Sequence, residues 1–287
     1  MDTIVITGAT SGIGLASALE LARNNFNIIG IGRDPKRCES AKDTIQSSRT
    51  SARVTFFAAD LMQQREVNRV CDEISKYIEQ NCEGKLFSLI NNAGCARSWY
   101  MTTEEGYEQL FALNHLAGFL VTYRLLPYLI SASGRVIMTG SESHKHMRIR
   151  WDDVMFQNGY HPLLAYKQSK LCNLLFAKAL NDRYGWRGLH AYAVDPGLVH
   201  TEIGCKNTGG IVSFVWNNRK RHGVSPDVPA KTYAYLCAQQ PAPKGLYFHL
   251  CKPRRYSAQV EWKNAERLFR LSETLCGIRY DERMSGI

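Results

Sequence analysis

Seven short runs of β-branched and aliphatic residues recur along this chain with amphipathic stretches between them, and that alternation decides most of what it can fold into. The strand-like runs are Thr3–Ile6, Asn27–Ile31, Arg53–Phe57, Leu86–Asn91, Arg135–Thr139, Leu189–Val194 and Gly245–His249. Helical periodicity fills Ile13–Asn24, Arg65–Gln80, Glu104–Ile130 and Leu164–Tyr184. Strands this uniformly apolar are buried on both faces, as in a parallel sheet covered by helices on each side. No repeat, low-complexity tract or linker divides the 287 residues. The expectation is therefore an α/β fold, a single domain over 1–287 with one doubly wound sheet of about seven strands.

One stretch breaks the rhythm. Between Val199 and Pro226 no clean period appears, and GGIVSFVWNNRKRHG joins apolar to basic residues. Long irregular insertions in compact domains serve as binding loops about as often as they are plain surface loops. As a binding insertion, roughly 199–226, it would wall a substrate with Ile211, Val212, Phe214, Val215 and Trp216.

Charge narrows the partners. The net charge of +10 is uneven, with +1 in residues 1–100, +2 in 101–200 and +7 in 201–287. Clusters at Arg219–His222 and Lys252–Arg255 lack any nucleic-acid-binding motif between them, so no nucleic-acid partner is expected. A basic solvated face is the favoured reading, and peripheral contact with an anionic membrane surface is the sharper minority one. The longest apolar window, Gly118–Ile130, is interrupted by Arg124 and too short to span a bilayer. The first glycine turn begins at Thr7, so no leader is expected ahead of it. Nine cysteines without C-x-x-C spacing suggest reduced thiols in a cytoplasmic setting rather than disulfides or zinc. His144-Lys145-His146 has no further ligand type to complete a metal site and reads as a polar loop.

Thr3–Gly14, TIVITGATSGIG, is a strand, a glycine-rich turn and the start of a helix. That context is what a dinucleotide fingerprint requires, although the spacing is G-x-x-x-G-x-G. Gly8 allows the tight turn, Gly12 the approach of backbone to a pyrophosphate, and Gly14 close packing of helix on strand. The helix start supplies oriented N–H groups. A Rossmann-type dinucleotide site follows. At the end of the second strand, where an acid would hold a ribose 2′-hydroxyl, this chain has Arg33, whose guanidinium suits a 2′-phosphate. Asp34 before Pro35 reads as a helix cap. Lys36 or Arg37 is either a second phosphate contact or an exposed helix charge. NADP(H) is favoured over NAD(H).

The chemistry is carried by Tyr166 and Lys170, four apart on the helix from Leu164 and so on one face. A phenol is a poor acid–base catalyst near neutrality until a cation beside it favours the phenolate. Ser141 follows the Arg135–Thr139 strand at its carboxyl end, where a doubly wound sheet binds ligands; alone it would read as a cap. Asn91-Asn92-Ala93-Gly94 ends the fourth strand on the same side. Asn114 interrupts an apolar helix face and needs a partner. His115 beside it reads as a packing or supporting residue.

These residues together resemble the classical short-chain dehydrogenase/reductase family: TGATSGIG, Asp60, NNAG, Asn114, Ser141, YKQSK and Asp195-Pro196-Gly197 occur in its order over nearly the whole chain. The resemblance implies a tetrad of Asn114, Ser141, Tyr166 and Lys170. It also implies cofactor contacts from Thr10, Ser11, Ile13, Leu61, Asn92, Ala93 and Gly94, with Asp60 near the adenine. Pro196, Gly197, Val199 and Thr201 would meet the nicotinamide carboxamide. NHLAGFLVTYRLLPYL, LLAYKQSKLCNLLFAKAL and the tail from Gly245 look like the retinol dehydrogenase branch, which is similar in turn to the protochlorophyllide reductases. Gly140 and Glu142, flanking the serine, depart from that branch.

What the resemblance implies is reversible, NADP(H)-dependent reduction of a lipophilic ketone or aldehyde of steroid, retinoid or polyketide type. Ser141 would hold the carbonyl oxygen and Tyr166 donate the proton. Lys170 would lower the phenol pKa and bind the nicotinamide ribose, and Asn114 would support a water leading from the lysine to solvent. A carbon–carbon double-bond reductase and a non-catalytic NADP-binding scaffold are the alternatives. The sequence leaves the assembly open, a homodimer or homotetramer included.

Overall fold

The computed structural model describes residues 1–48, 50–200 and 223–281. The strands β1 (Thr3–Thr7), β2 (Asn27–Gly32), β3 (Val54–Ala58), β4 (Ser88–Asn91), β5 (Arg135–Thr139), β6 (His190–Val194), β7 (Tyr247–His249) and β8 (Lys252–Pro253) form one sheet. Their spatial order is β3-β2-β1-β4-β5-β6-β7-β8. All neighbours are parallel except β7 and β8, which pair antiparallel. This is the doubly wound α/β sheet that strand–helix alternation predicts. The strand beyond the expected seven is β8, only two residues long and fully exposed. Nothing apolar marks it in the sequence, because an edge strand that short is set by the turn it leaves.

Helices cover both faces. On one side α1 (Gly12–Arg23) packs against α7 (Asp227–Ala238), with α2 (Pro35–Gln46) beside them. Ile4, Ile6, Ile28, Ile90 and Ile137 meet these helices. On the other side lie α3 (Gln64–Asn81), α5 (Ala117–Ser131), α6 (Pro162–Tyr184) and α8 (Trp262–Cys276). Their apolar stripes bury Val5, Ile29, Leu89 and Val136, the strand residues of opposite parity. Alternate residues of a strand point to opposite faces, so a strand buried on both sides must be apolar throughout.

The expected helix Glu104–Ile130 is broken in two places. Gly106 turns the chain at φ +83, and an isolated bridge pairs Thr102 with Glu108. The Glu108 carboxylate then caps the short α4 (Gln109–Phe111), accepting from the N–H groups of Leu110 and Phe111 at 2.9 and 2.8 Å. Ala112–Leu116 continues as a π-helix before α5 begins. A carboxylate that takes two orphan amides is a stronger start signal than helical periodicity upstream of it.

The order of strands reverses between β1 and β4, and a doubly wound sheet binds ligands at such a point, above the carboxyl ends of its strands. No helix among the described residues is long and apolar enough to cross a membrane.

Candidate active site

At the switch point the turn after β1 and the turn after β4 are stitched together. The Thr7 hydroxyl accepts the backbone N–H groups of Asn92 and Ala93, both at 2.9 Å. The Asn92 amide returns, donating to the carbonyls of Thr7 and Gly8 at 3.1 and 3.3 Å. Gly8 sits at φ +67, and Gly14 lies so close that a Cβ there would stand 2.2 Å from the Gly8 carbonyl oxygen. Gly14 is thus a packing glycine, as its place in the motif predicts. The Ser11 side chain makes no capping bond at the start of α1, so it does not occupy the amides there.

Above these turns opens a cavity of about 610 Å³. The glycine turn contributes Gly8, Thr10, Ser11, Gly12 and Ile13 to its walls. Arg33, Asp34 and Arg37 come from the end of β2, Asp60 and Leu61 from β3, and Asn92, Ala93 and Gly94 from β4. Asp34 spends its carboxylate as the predicted cap, accepting from Lys36 and Arg37 N–H at 2.8 and 3.2 Å. Between the two candidate cations the structure brings Arg37 to the cavity wall and leaves Lys36 off it. Asp60 accepts the N–H of Met62 at 3.1 Å, which fixes its turn.

Pro196, Gly197 and Val199 lie where the chain leaves β6 and do not wall this cavity, whereas His200 and Pro226 do. The Asp195 carboxylate receives Gly197 N–H at 2.9 Å, and Val199 bridges to Val224. Thr201 lies outside the described residues, as do Ile211, Val212, Phe214, Val215 and Trp216.

Two strands along, at the end of β5, lie the side chains expected to carry the chemistry. Lys170 is buried, its ammonium 5.5 Å from the centre of the Tyr166 ring. It donates to the Thr139 carbonyl at the end of β5 at 3.1 Å, and Asn173, one turn on, donates to the same oxygen at 3.0 Å. Burial pulls the lysine down to about 8, because a cation with a neutral carbonyl for partner regains little of its hydration. Ser141, two residues past Thr139, caps a single 3₁₀ turn over Glu142–His144. Its Oγ accepts the N–H of Ser143 at 3.2 Å. Capping uses a lone pair and leaves the hydroxyl proton free to donate, so cap and substrate ligand are compatible roles.

Asn114 is buried in the π-helix, with its amide oxygen and both of its amide N–H groups bonded. Its Oδ1 accepts Cys95 N–H at 2.7 Å, and its Nδ2 donates to the Cys95 carbonyl at 3.1 Å and to Ser169 Oγ at 3.0 Å. Ser169 in turn donates to the Tyr166 carbonyl at 2.8 Å. The side chain straps the loop after β4 to the helix carrying Tyr166 and Lys170. A Cβ on Gly94 would stand 3.0 Å from Asn114 Oδ1, so a side chain there would press on the strap.

The two histidines differ from one another. His115 is a packing residue as expected, tilted against Phe111 and Phe119, edge-on to Phe176 and bonded through Nε2 to Ser272 Oγ at 2.8 Å. Burial drives it down to about 3, so it is neutral. His144 is not part of a polar loop: it is fully buried, with Ser141 on one ring nitrogen and Ser257 on the other. The polar residues around it hide that burial from any reading of local composition.

Residues 2–209 match the family model for short chain dehydrogenases. Retinol dehydrogenase 12 of Mus musculus is 35% identical over 282 residues, spanning 97% of this chain and 87% of that one. Retinol dehydrogenase 13 of Homo sapiens is 34% identical over 287 residues, spanning 96% and 85%. Among solved structures, an uncharacterised protein from Mycobacterium paratuberculosis superposes with a TM-score of 0.76 at 29% identity, over 98% of this chain and 95% of that one. A short-chain dehydrogenase from Sphingobium yanoikuyae in complex with NADPH gives 0.64 at 24%, over 81% and 82%.

Proposed function

The chain belongs to the short-chain dehydrogenase/reductase family, an oxidoreductase of the retinol dehydrogenase branch, and from that premise we propose that it uses NADP(H) to interconvert a lipophilic ketone or aldehyde and its alcohol. The observation that carries this reading is the Tyr166–Lys170 pair: the ammonium lies 5.5 Å from the phenol ring, pinned to the Thr139 carbonyl beneath Ser141.

The residues at the switch point fit a dinucleotide. Glycine backbone lines the cavity where a Cβ on Gly8 would already meet Ala93 at 3.0 Å, and Arg33 and Arg37 stand at the β2 end, where a 2′-phosphate would need them. The NADPH of the Sphingobium structure supports the same choice by analogy of fold. A nicotinamide cofactor held there supplies the hydride. The chain's own residues do the rest. The Ser141 hydroxyl donates a hydrogen bond to the substrate oxygen and fixes its place. Tyr166 protonates that oxygen on reduction and takes the proton back on oxidation. Lys170 supplies the positive charge that favours the phenolate. Asn114 keeps the loop under the cofactor in register with that helix.

We assign the 199–226 insertion to the substrate side of one domain, next to the cofactor cavity, whose wall its described stems His200 and Pro226 join. The eight described cysteines, all free, accord with a cytoplasmic location. The test is oxidation of NADPH and NADH against a panel of ketones, aldehydes and enones. Consumption of NADPH with carbonyls supports the reading, turnover of enones alone points to double-bond reduction, and tight NADPH binding without turnover points to a scaffold.

A further inference from the structure

We propose that His144 is a positioning residue for Ser141, tying the turn that carries the serine to the segment around Ser257 in the last third of the chain. The inference rests on the carbonyl-reduction reading, in which Ser141 holds the substrate oxygen. Geometry fixes the tautomer. Ser257 donates its backbone N–H to His144 Nε2 at 3.2 Å, so that nitrogen carries no proton. The proton of the neutral ring therefore sits on Nδ1, which donates to the Ser141 carbonyl at 2.6 Å. The same carbonyl accepts the backbone N–H of His144 at 3.2 Å, and the Ser141 hydroxyl accepts that of Ser143 at 3.2 Å. Tyr247 on β7 closes the site, its ring edge-on to the imidazole at 4.9 Å.

Ser141 is extended, at φ −172 and ψ 150, with both its carbonyl and its side chain held. The direction of its free O–H depends on that backbone, and the backbone depends on an imidazole whose other nitrogen is anchored 113 residues away. Without the anchor the one-turn 3₁₀ element has little to hold it, since short runs of this kind have poor hydrogen-bond geometry of their own.

The bridge is also sensitive to acid. Glu142 and Lys145 on its own turn, Asp195 at the end of β6 and Tyr247 on β7 face the ring, and His249 on β7 lies 3.9 Å from the Asp195 carboxylate. Burial above all holds His144 below the usual imidazole range; the Ser141 carbonyl, Asp195 and Glu142 oppose that, and Lys145 adds to it. A second proton would land on Nε2, against the N–H of Ser257, and two donors cannot share that contact. The bridge is therefore intact above the histidine's lowered pKa and opens as pH falls through it.

The experiment compares the full chain with His144→Phe and His144→Asn by amide hydrogen exchange, cofactor titration and NADPH oxidation with an accepted carbonyl. His144→Phe keeps the ring against Tyr247 and loses both bonds. Exchange should quicken together at 141–145 and 254–260, and kcat should fall about tenfold to a hundredfold with NADPH affinity unchanged. His144→Asn places an amide nitrogen near the Nδ1 position. It should restore protection at 141–145 and part of kcat, while leaving Ser257 unprotected and removing the acid limb of the wild-type profile. A purely structural histidine would instead lower stability in both variants without that rescue or change of pH profile. Unchanged exchange in His144→Phe, or parental kcat in that variant with its bridge opened, overturns the proposal. Tyr166→Phe in the same assay separates the two levels: if it turns over as the wild type does, the functional reading fails, while the exchange data still decide the bridge.

Discussion

At the end of β1 and β2 the groups that face the cavity are glycine backbone and exposed arginine, whereas at the end of β5 and along α6 they are buried side chains bonded to distant carbonyls. Arg33 and Lys36 are exposed, and the Asp34 cap is local to its own helix. Asn114, Lys170 and Asn173 are all buried, and each reaches a partner on another element. The cofactor half is specified by what its backbone leaves open, the catalytic half by a lattice of polar groups that cannot be hydrated. Removing a group from the first should therefore change affinity and leave stability alone. Removing one from the second should change rate, stability or both.

The largest effect is expected at the proton donor. Tyr166→Phe removes only the hydroxyl and should lower kcat by about 10²–10⁴, roughly 3–5 kcal/mol of transition-state stabilisation, with cofactor affinity preserved. Stopped-flow NADPH oxidation and a fluorescence titration check the two halves separately. A parental rate would place the proton elsewhere and dissolve the distinction.

Next comes the strap. Asn114→Ala strands the N–H and carbonyl of Cys95 and one bond of Ser169 in the interior, at a cost of about 2–4 kcal/mol of folding stability. Urea unfolding measures it. The loop after β4 also lines the cavity, so affinity should fall with stability, and here the two halves are mechanically joined.

The smallest effect belongs to the exposed charge. Arg33→Asp should weaken NADPH binding about tenfold to a hundredfold and shift preference toward NADH, because an exposed clamp is worth less than a buried one. Its unfolding midpoint should match the parent. A preference that does not move would transfer the 2′-phosphate role to Arg37, the other cavity-wall cation of that turn.

Legibility followed the range of each interaction. The glycine turn, the Asp34 cap and the Tyr166–Lys170 spacing are local, set within a few residues by allowed φ values and helical periodicity, and they could be read directly. Thr7, Cys95, Ser169 and Asn173 were missed, because a hydroxyl, a side-chain amide or a loop backbone group announces nothing until its partner is known. The Asn114 amide spans 55 residues to Ser169, and the Thr7 hydroxyl spans 86 to Ala93. His144 was misread for the same reason, since the partners that bury it, Tyr247 and Ser257, lie more than a hundred residues away.

Alternation of apolar strands with amphipathic helices determined the doubly wound sheet, because each strand had to be covered on both faces and only helices were there to do it. Which turns meet was decided by the assembled sheet. The pairing of Ile6 with Ile90 in the β1–β4 register carries Thr7 to Asn92, and the pairing of Thr139 with Val194 brings the ends of β5 and β6 level. A register is a property of two strands together, held by burial of both faces, so hydrogen bonds that depend on it exist in no single stretch of the chain.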